Sequence, residues 1–163
     1  MAQIFIAHSS KDKWLIGPIS QVLTQAGVIP YLAELESPTP FPLPQKLQKA
    51  IEESKVIIAV LTHNATNIIQ TRDIVNWEIS AAYHLKKPTY VFREKGVDVP
   101  LMINYITDYF TYDPFDEQTL KITLDKICQI GFDIKRSEDT DKAILTLFGI
   151  VLGIIILSSL KSK

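Results

Sequence analysis

The chain has 163 residues, enough for one ordinary hydrophobic core, and its 17 Lys and Arg against 18 Asp and Glu leave a formal net charge of -1. That balance removes the electrostatic motive for nucleic acid as a partner. The single cysteine, Cys128, excludes an internal disulfide and reads as a buried thiol in a reducing compartment.

In chain order, Gln3 to Ala7 forms a short apolar strand. Ser9 or Ser10 then stands where a helix cap is wanted, before a helix through Trp14, Leu15, Ile19, Val22 and Leu23 that stops at Gly27. Ile29 to Leu32 is a second strand. Glu34 to Pro44 holds Pro38, Pro40, Pro42 and Pro44, which cannot sustain regular pairing, and is therefore a loop. Leu47, Ala50, Ile51 and Ser54 mark a helix leading into Val56 to Leu61, whose unbroken apolarity predicts a strand buried on both faces.

Thr62 to Asp73 is polar and reads as a turn region, followed by a helix carrying Ile74, Trp77, Ala81, Ala82 and Leu85 and ending before Lys86-Lys87-Pro88. Thr89 to Phe92 and Tyr109 to Tyr112 are the remaining strands, the latter at a sheet edge. Leu120, Leu124, Ile127 and Ile130 give a last helix before Gly131. Strands alternating with helices imply an α/β fold with a mainly parallel sheet and helices on both faces.

Residues 131–142, with Lys135, Arg136, Glu138, Asp139 and Asp141, read as a short charged linker after a domain spanning 1–130. Ala143 to Leu160 then runs without a charge and, as a helix, would reach about 27 Å, close to the apolar thickness of a bilayer. This predicts a C-terminal transmembrane helix over 143–160; a buried or partner-covered apolar helix is the alternative. Lysines flank it on both sides and barely choose an orientation. The first residues lack a secretory pattern, so the expected location is a single-pass membrane anchor with the N-terminal domain cytoplasmic. Gly149 and Gly153 share one helical face, where a second copy of the helix can approach closely.

Three segments, in this order, resemble the Toll/interleukin-receptor (TIR) domain. They are Ile4-Phe5-Ile6-Ala7-His8-Ser9-Ser10-Lys11-Asp12, the Leu47-Ala50-Ile51-Ser54 helix entering Val56 to Leu61, and Trp77-Glu78-Ile79-Ser80-Ala81-Ala82 followed by Lys87-Pro88. The resemblance covers residues 1–130 and implies a flavodoxin-like, five-stranded sheet. It also implies one of two activities, since the family includes enzymes that cleave the nicotinamide glycosidic bond of NAD and adaptors that only assemble. NAD is then substrate rather than cofactor, and the setting is innate or anti-phage defence signalling. Carried over by position, Glu78 matches the helical glutamate of the NAD-cleaving members, and His8, Ser9 and Ser10 match the loop that lines the nucleotide site. Phe41 or Leu43 takes the place of the aromatic residue in the loop after the second strand, a region through which family members complete one another's sites; Phe41 and Trp77 are the further substrate-binding candidates, Trp77 by stacking, with packing against the sheet as its alternative. Where many of those enzymes carry a tryptophan four residues before the glutamate, this chain has Ile74.

The chemistry tolerates a single acid. Breaking a bond to a pyridinium releases a neutral leaving group, so the carboxylate need only orient ribose hydroxyls and stabilise an oxocarbenium-like transition state. Water and the substrate's own adenine both remain open as the nucleophile. The rival for Glu78 is a solvated acid in a helix. Rival site chemistries lack their residues: there is no Gly-rich phosphate loop, no Gly-x-Ser-x-Gly elbow, and no metal-like spacing among His8, His63, His84 and Cys128. A phosphoacceptor receiver domain is disfavoured because the strands end in His8-Ser9-Ser10 and Leu61-Thr62-His63 rather than in acids.

Overall fold

The computed structural model describes residues 1–32, 43–98 and 103–139. Its elements are β1 (Gln3–Ala7), α1 (Lys13–Gln25), β2 (Ile29–Leu32), α2 (Leu43–Glu53), β3 (Val56–Leu61), α3 (His63–Asn67), α4 (Ile69–His84), β4 (Thr89–Glu94), a 3-10 turn (Ile103–Tyr105), β5 (Asp108–Tyr112) and α5 (Glu117–Asp139). All strand pairs are parallel, and the sheet order is β2-β1-β3-β4-β5. Reversal of strand order beside β1 makes this the doubly wound, flavodoxin-like α/β arrangement that the sequence pattern predicts.

The two faces separate by side-chain alternation. Ile4, Ile6, Ile58, Val60 and Phe92 pack against Leu15, Ile19 and Leu23 of α1 and Ile127 and Ile134 of α5. Phe5, Ala7, Ile57, Ala59, Leu61 and Val91 pack against Leu47, Ala50 and Ile51 of α2 and Val75, Ile79 and Ala82 of α4. β3 is buried at every position because it is the middle strand with helices on both sides, which is why its sequence shows no polar alternation. β2, at an edge, accommodates Pro30.

The helix ends have local causes. α1 closes with Gly27 at φ +82°, its N–H donating to Thr24 O while Val28 N–H reaches back to Leu23 O. α4 closes by the same pair of bonds, Lys86 N–H to Tyr83 O and Lys87 N–H to Ala82 O, but with Lys86 rather than glycine at φ 54°. Asp116 starts α5 by accepting the Gln118 N–H at 2.9 Å.

Three sequence expectations need correction. Neither Ser9 nor Ser10 caps α1: the N-cap is Asp12, and its side chain makes no capping bond either. Thr62 to Asp73 is mostly helical, because the Thr62 hydroxyl accepts the Ala65 N–H at 3.0 Å and starts α3, and α4 begins at Ile69. The last helix does not stop at Gly131 but continues to Asp139, so residues 131–139 of the stretch read as a short charged linker are part of α5. Ile134 is buried in the α1/α5 core, and Gly131 lies against Ala26, where absence of a side chain lets the two helices close.

No helix among the described residues is long and apolar enough to cross a membrane. The predicted span 143–160 with its Gly149 and Gly153 face, and most of the proline-bearing loop including Phe41, lie outside the described residues.

Candidate active site

In a parallel sheet the carboxyl ends of all strands share one edge, and ligand crevices form there. Here that edge carries the loop after β1 and the β3–α3 junction. The helix α4 descends from it across β1, β3 and β4. Ala7, at the end of β1, and its register partner Ala59 in β3 are buried in the core on the α4 side.

Glu78 lies on the buried stripe of α4, with Val75, Ile79 and Ala82 at helical spacing. It is 2% exposed, so the solvated-acid reading does not describe it. Its carboxylate makes no hydrogen bond or ion pair with any described residue, and burial alone pushes its pKa up to about 8. An acid in this state holds a proton at neutral pH and ionises readily when a positive charge arrives.

Trp77 is one residue away and about 100° around the helix, 38% exposed and off the buried stripe. It is not packed on the sheet. Ile74, in the place of the tryptophan that many family enzymes carry, is half-buried against the α2/α4 core.

The loop after β1 is tightly closed. His8 is half-buried, and its Nδ1–H donates to Ile6 O at 2.9 Å, which leaves Nε2 as the free acceptor of the neutral ring. Ser9 is buried and accepts the Lys11 N–H on its Oγ at 3.3 Å, while its carbonyl accepts the Asp12 N–H at 3.0 Å. Ser10 is exposed.

The group that ties this loop down carries no motif of its own in the sequence. Asp12, 1% exposed, accepts the Thr62 hydroxyl on Oδ2 at 2.5 Å and the Asn64 Nδ2–H on Oδ1 at 2.7 Å. A buried carboxylate is tolerated only when its oxygens are so satisfied. The signal available in the sequence was an acid and a hydroxyl placed just past the ends of two neighbouring strands, at Asp12 and Thr62. Tyr112, at the end of β5, points a fully buried hydroxyl with no partner among the described residues into this region. Burial raises its pKa, and the charges of Glu94 and Asp12 raise it further.

Comparison with solved structures gives the same fold at low identity. A 2-deoxyribosyltransferase from Bacillus psychrosaccharolyticus matches at 20% identity and TM-score 0.55, covering 73% of this chain and 96% of that one. A CMP N-glycosidase from Clostridium botulinum matches at 17% and 0.57, covering 76% and 98%. A diflavin flavoprotein from Nostoc sp. matches at 15% and 0.59, covering 84% and 96%. No curated protein matches the chain. The family model described as the TIR domain matches residues 4–122, which include the β1 loop, the Asp12–Thr62 bridge and α4 with Glu78. The chain therefore belongs to the TIR domain family, whose members include both NAD-cleaving enzymes and adaptors.

Proposed function

We propose that this TIR domain cleaves the nicotinamide N-glycosidic bond of NAD, with Glu78 as the catalytic carboxylate and the His8-Ser9-Ser10 loop holding another part of the nucleotide. The observation that supports it most is Glu78 itself: 2% exposed, without a described partner, and pushed up to about 8. A lone buried acid destabilises a fold, and strongly shifted groups of this kind concentrate where chemistry is done.

The raised pKa fits the reaction. In the empty site the proton neutralises the buried group. The pyridinium charge of bound NAD favours the carboxylate, which then faces the ribose as positive charge moves onto the sugar. Nicotinamide departs neutral, taking the bonding electron pair that quenches its ring charge, so no second acid has to donate a proton. Water attacking the sugar gives ADP-ribose and a proton; attack by the substrate's adenine gives a cyclic product. Trp77, exposed beside Glu78, and Phe41 in the loop after β2 remain the candidates for contact with the ring or with a second copy.

Residues 143–160 serve as the membrane anchor in this reading, and the Gly149/Gly153 face and the proline-bearing loop bring copies together. Confinement to one surface raises their effective concentration. The setting is innate or anti-phage defence signalling from a cytoplasmic domain.

The deciding experiment incubates the full chain, reconstituted in liposomes, with NAD. Nicotinamide release that is lost in Glu78→Ala supports the enzyme, and mass spectrometry of the product distinguishes hydrolysis from cyclisation. Absence of release on the liposomes, with copies still associating, favours the adaptor.

A further inference from the structure

We infer that Asp12 is the positioning residue of the site: its carboxylate clamps the loop after β1 to the β3–α3 junction and so fixes where Ser9 and Ser10 meet the nucleotide. This rests on the NAD-cleaving reading and adds to it a residue that touches no substrate.

The argument starts from a local rule that Asp12 breaks. An aspartate at a helix N-cap ordinarily turns its carboxylate onto the free N–H groups of the first turn. Asp12 occupies the N-cap of α1 but makes no such bond. Its carboxylate is instead spent on Thr62 and Asn64, which lie 50 and 52 residues further along the chain. Its main chain meanwhile does two local jobs. The N–H closes the turn onto Ser9 O at 3.0 Å, and the carbonyl starts α1 by accepting the Leu15 and Ile16 N–H groups at 2.9 and 3.0 Å. One residue thus holds the serine loop at its base, begins the helix behind it and bolts both to the neighbouring strand's exit.

Thr62 serves the same joint from the other side. Its hydroxyl donates to Asp12 while accepting the Ala65 N–H, so the start of α3 and the clamp are set by one oxygen. The Thr62 carbonyl accepts the Thr66 hydroxyl at 2.9 Å. Asp12 and Thr62 are buried and hydrogen-bonded to each other, with the exposed Asn64 closing the outer side, and a satisfied buried pair of this kind enforces a single geometry. When a binding loop is displaced by about 1 Å, the loss in turnover efficiency reaches on the order of 100-fold.

The test compares Asp12→Asn, Thr62→Val and Thr62→Ser with Glu78→Gln in the liposome-bound chain, reading KM and kcat for nicotinamide release. Asp12→Asn keeps the volume but sets an amide NH2 against one of the two donors, and Thr62→Val removes the hydroxyl. Both are expected to raise KM for NAD at least about tenfold. Thr62→Ser, which keeps the hydroxyl, restores it, and Glu78→Gln loses kcat instead. NAD binding by calorimetry in the Glu78→Gln background gives the same ranking where Asp12→Asn fails to fold, through the Thr62 pair alone. Release that depends on Glu78 while folded Asp12→Asn and Thr62→Val retain the wild-type KM overturns the clamp and leaves the enzyme reading intact. A chain that neither cleaves nor binds NAD overturns both.

Discussion

Gly131 of α5 and Ala26 after α1 face each other so closely that a Cβ on Gly131 would stand 2.8 Å from the Ala26 Cβ and 3.3 Å from Leu23 Cδ2. Neither neighbour is a flexible chain end that can swing aside. Gly131→Ala therefore forces α1 and α5 apart despite its better helix propensity, and a loss of roughly 1–3 kcal/mol is expected. Urea denaturation of wild type and variant checks it; a neutral or stabilising result means that the helices separate freely here.

Glu78 makes stability depend on pH in a defined direction. Its folded pKa of about 8 lies above the ordinary 4.5, so between those values the folded chain holds a proton that the unfolded chain has lost. Stability contributed by the neutral form is complete below about pH 4.5 and declines as pH rises through 8. Glu78→Gln, which stays neutral, is expected to be more stable than wild type by on the order of 3 kcal/mol above pH 8 and nearly equal to it at pH 4.5. Thermal unfolding of both proteins across pH 5 to 9 reads the difference directly.

Thr62→Val removes a cap and a buried donor together. Loss of the Ala65 bond and of the hydroxyl facing the Asp12 carboxylate is expected to cost about 2–4 kcal/mol, whereas Thr62→Ser costs less than about 1. Chemical denaturation of the pair separates the hydroxyl from the methyl group.

Lys86 occupies the left-handed region at φ 54°, where a side chain is disfavoured and glycine is usual. Lys86→Gly keeps both closing bonds of α4 and is expected to stabilise the fold by on the order of 0.5–1 kcal/mol. The melting temperature should rise by a few degrees; a fall would show that the lysine side chain contributes more than its backbone strain removes.

The sheet was largely legible in the sequence because its strands announce themselves by composition. Val56 to Leu61 could be read as buried on both faces from its unbroken apolar run, and Tyr109 to Tyr112 as an edge strand. What escaped had no periodic signal. The first turns of α4 expose Ile69, Gln70, Arg72 and Asp73 and so bury no apolar stripe that would mark them as helical; α3 before them follows from the Thr62 cap, and α4 from the packing of Val75 onward. Gly131 looked like a stop because glycine is common at helix ends; only the tertiary approach of Ala26 gives it a different reason to be there. For the site, Glu78 was visible through family resemblance, while its burial was not. Asp12 was overlooked because its partners are distant in sequence, and an aspartate at a helix start already has an ordinary explanation.

The far end of α5 is fastened to the beginning of the chain: Glu138 accepts the Ala2 N–H at 3.0 Å and lies 3.2 Å from the Met1 amino group, while Lys135 covers Gly27. These residues surround the amino ends of β1 and β2, the pole opposite the one where Ser9, Asp12 and Thr62 meet. Whatever follows Asp139 is thus moored to the rear of the domain. Were residues 143–160 held in a bilayer, as proposed above, the four residues between Asp139 and Ala143 would keep that rear pole within about 14 Å of it. In that arrangement the opposite pole, with Ser9, Asp12 and Thr62, would face the aqueous side, like a lamp on a post.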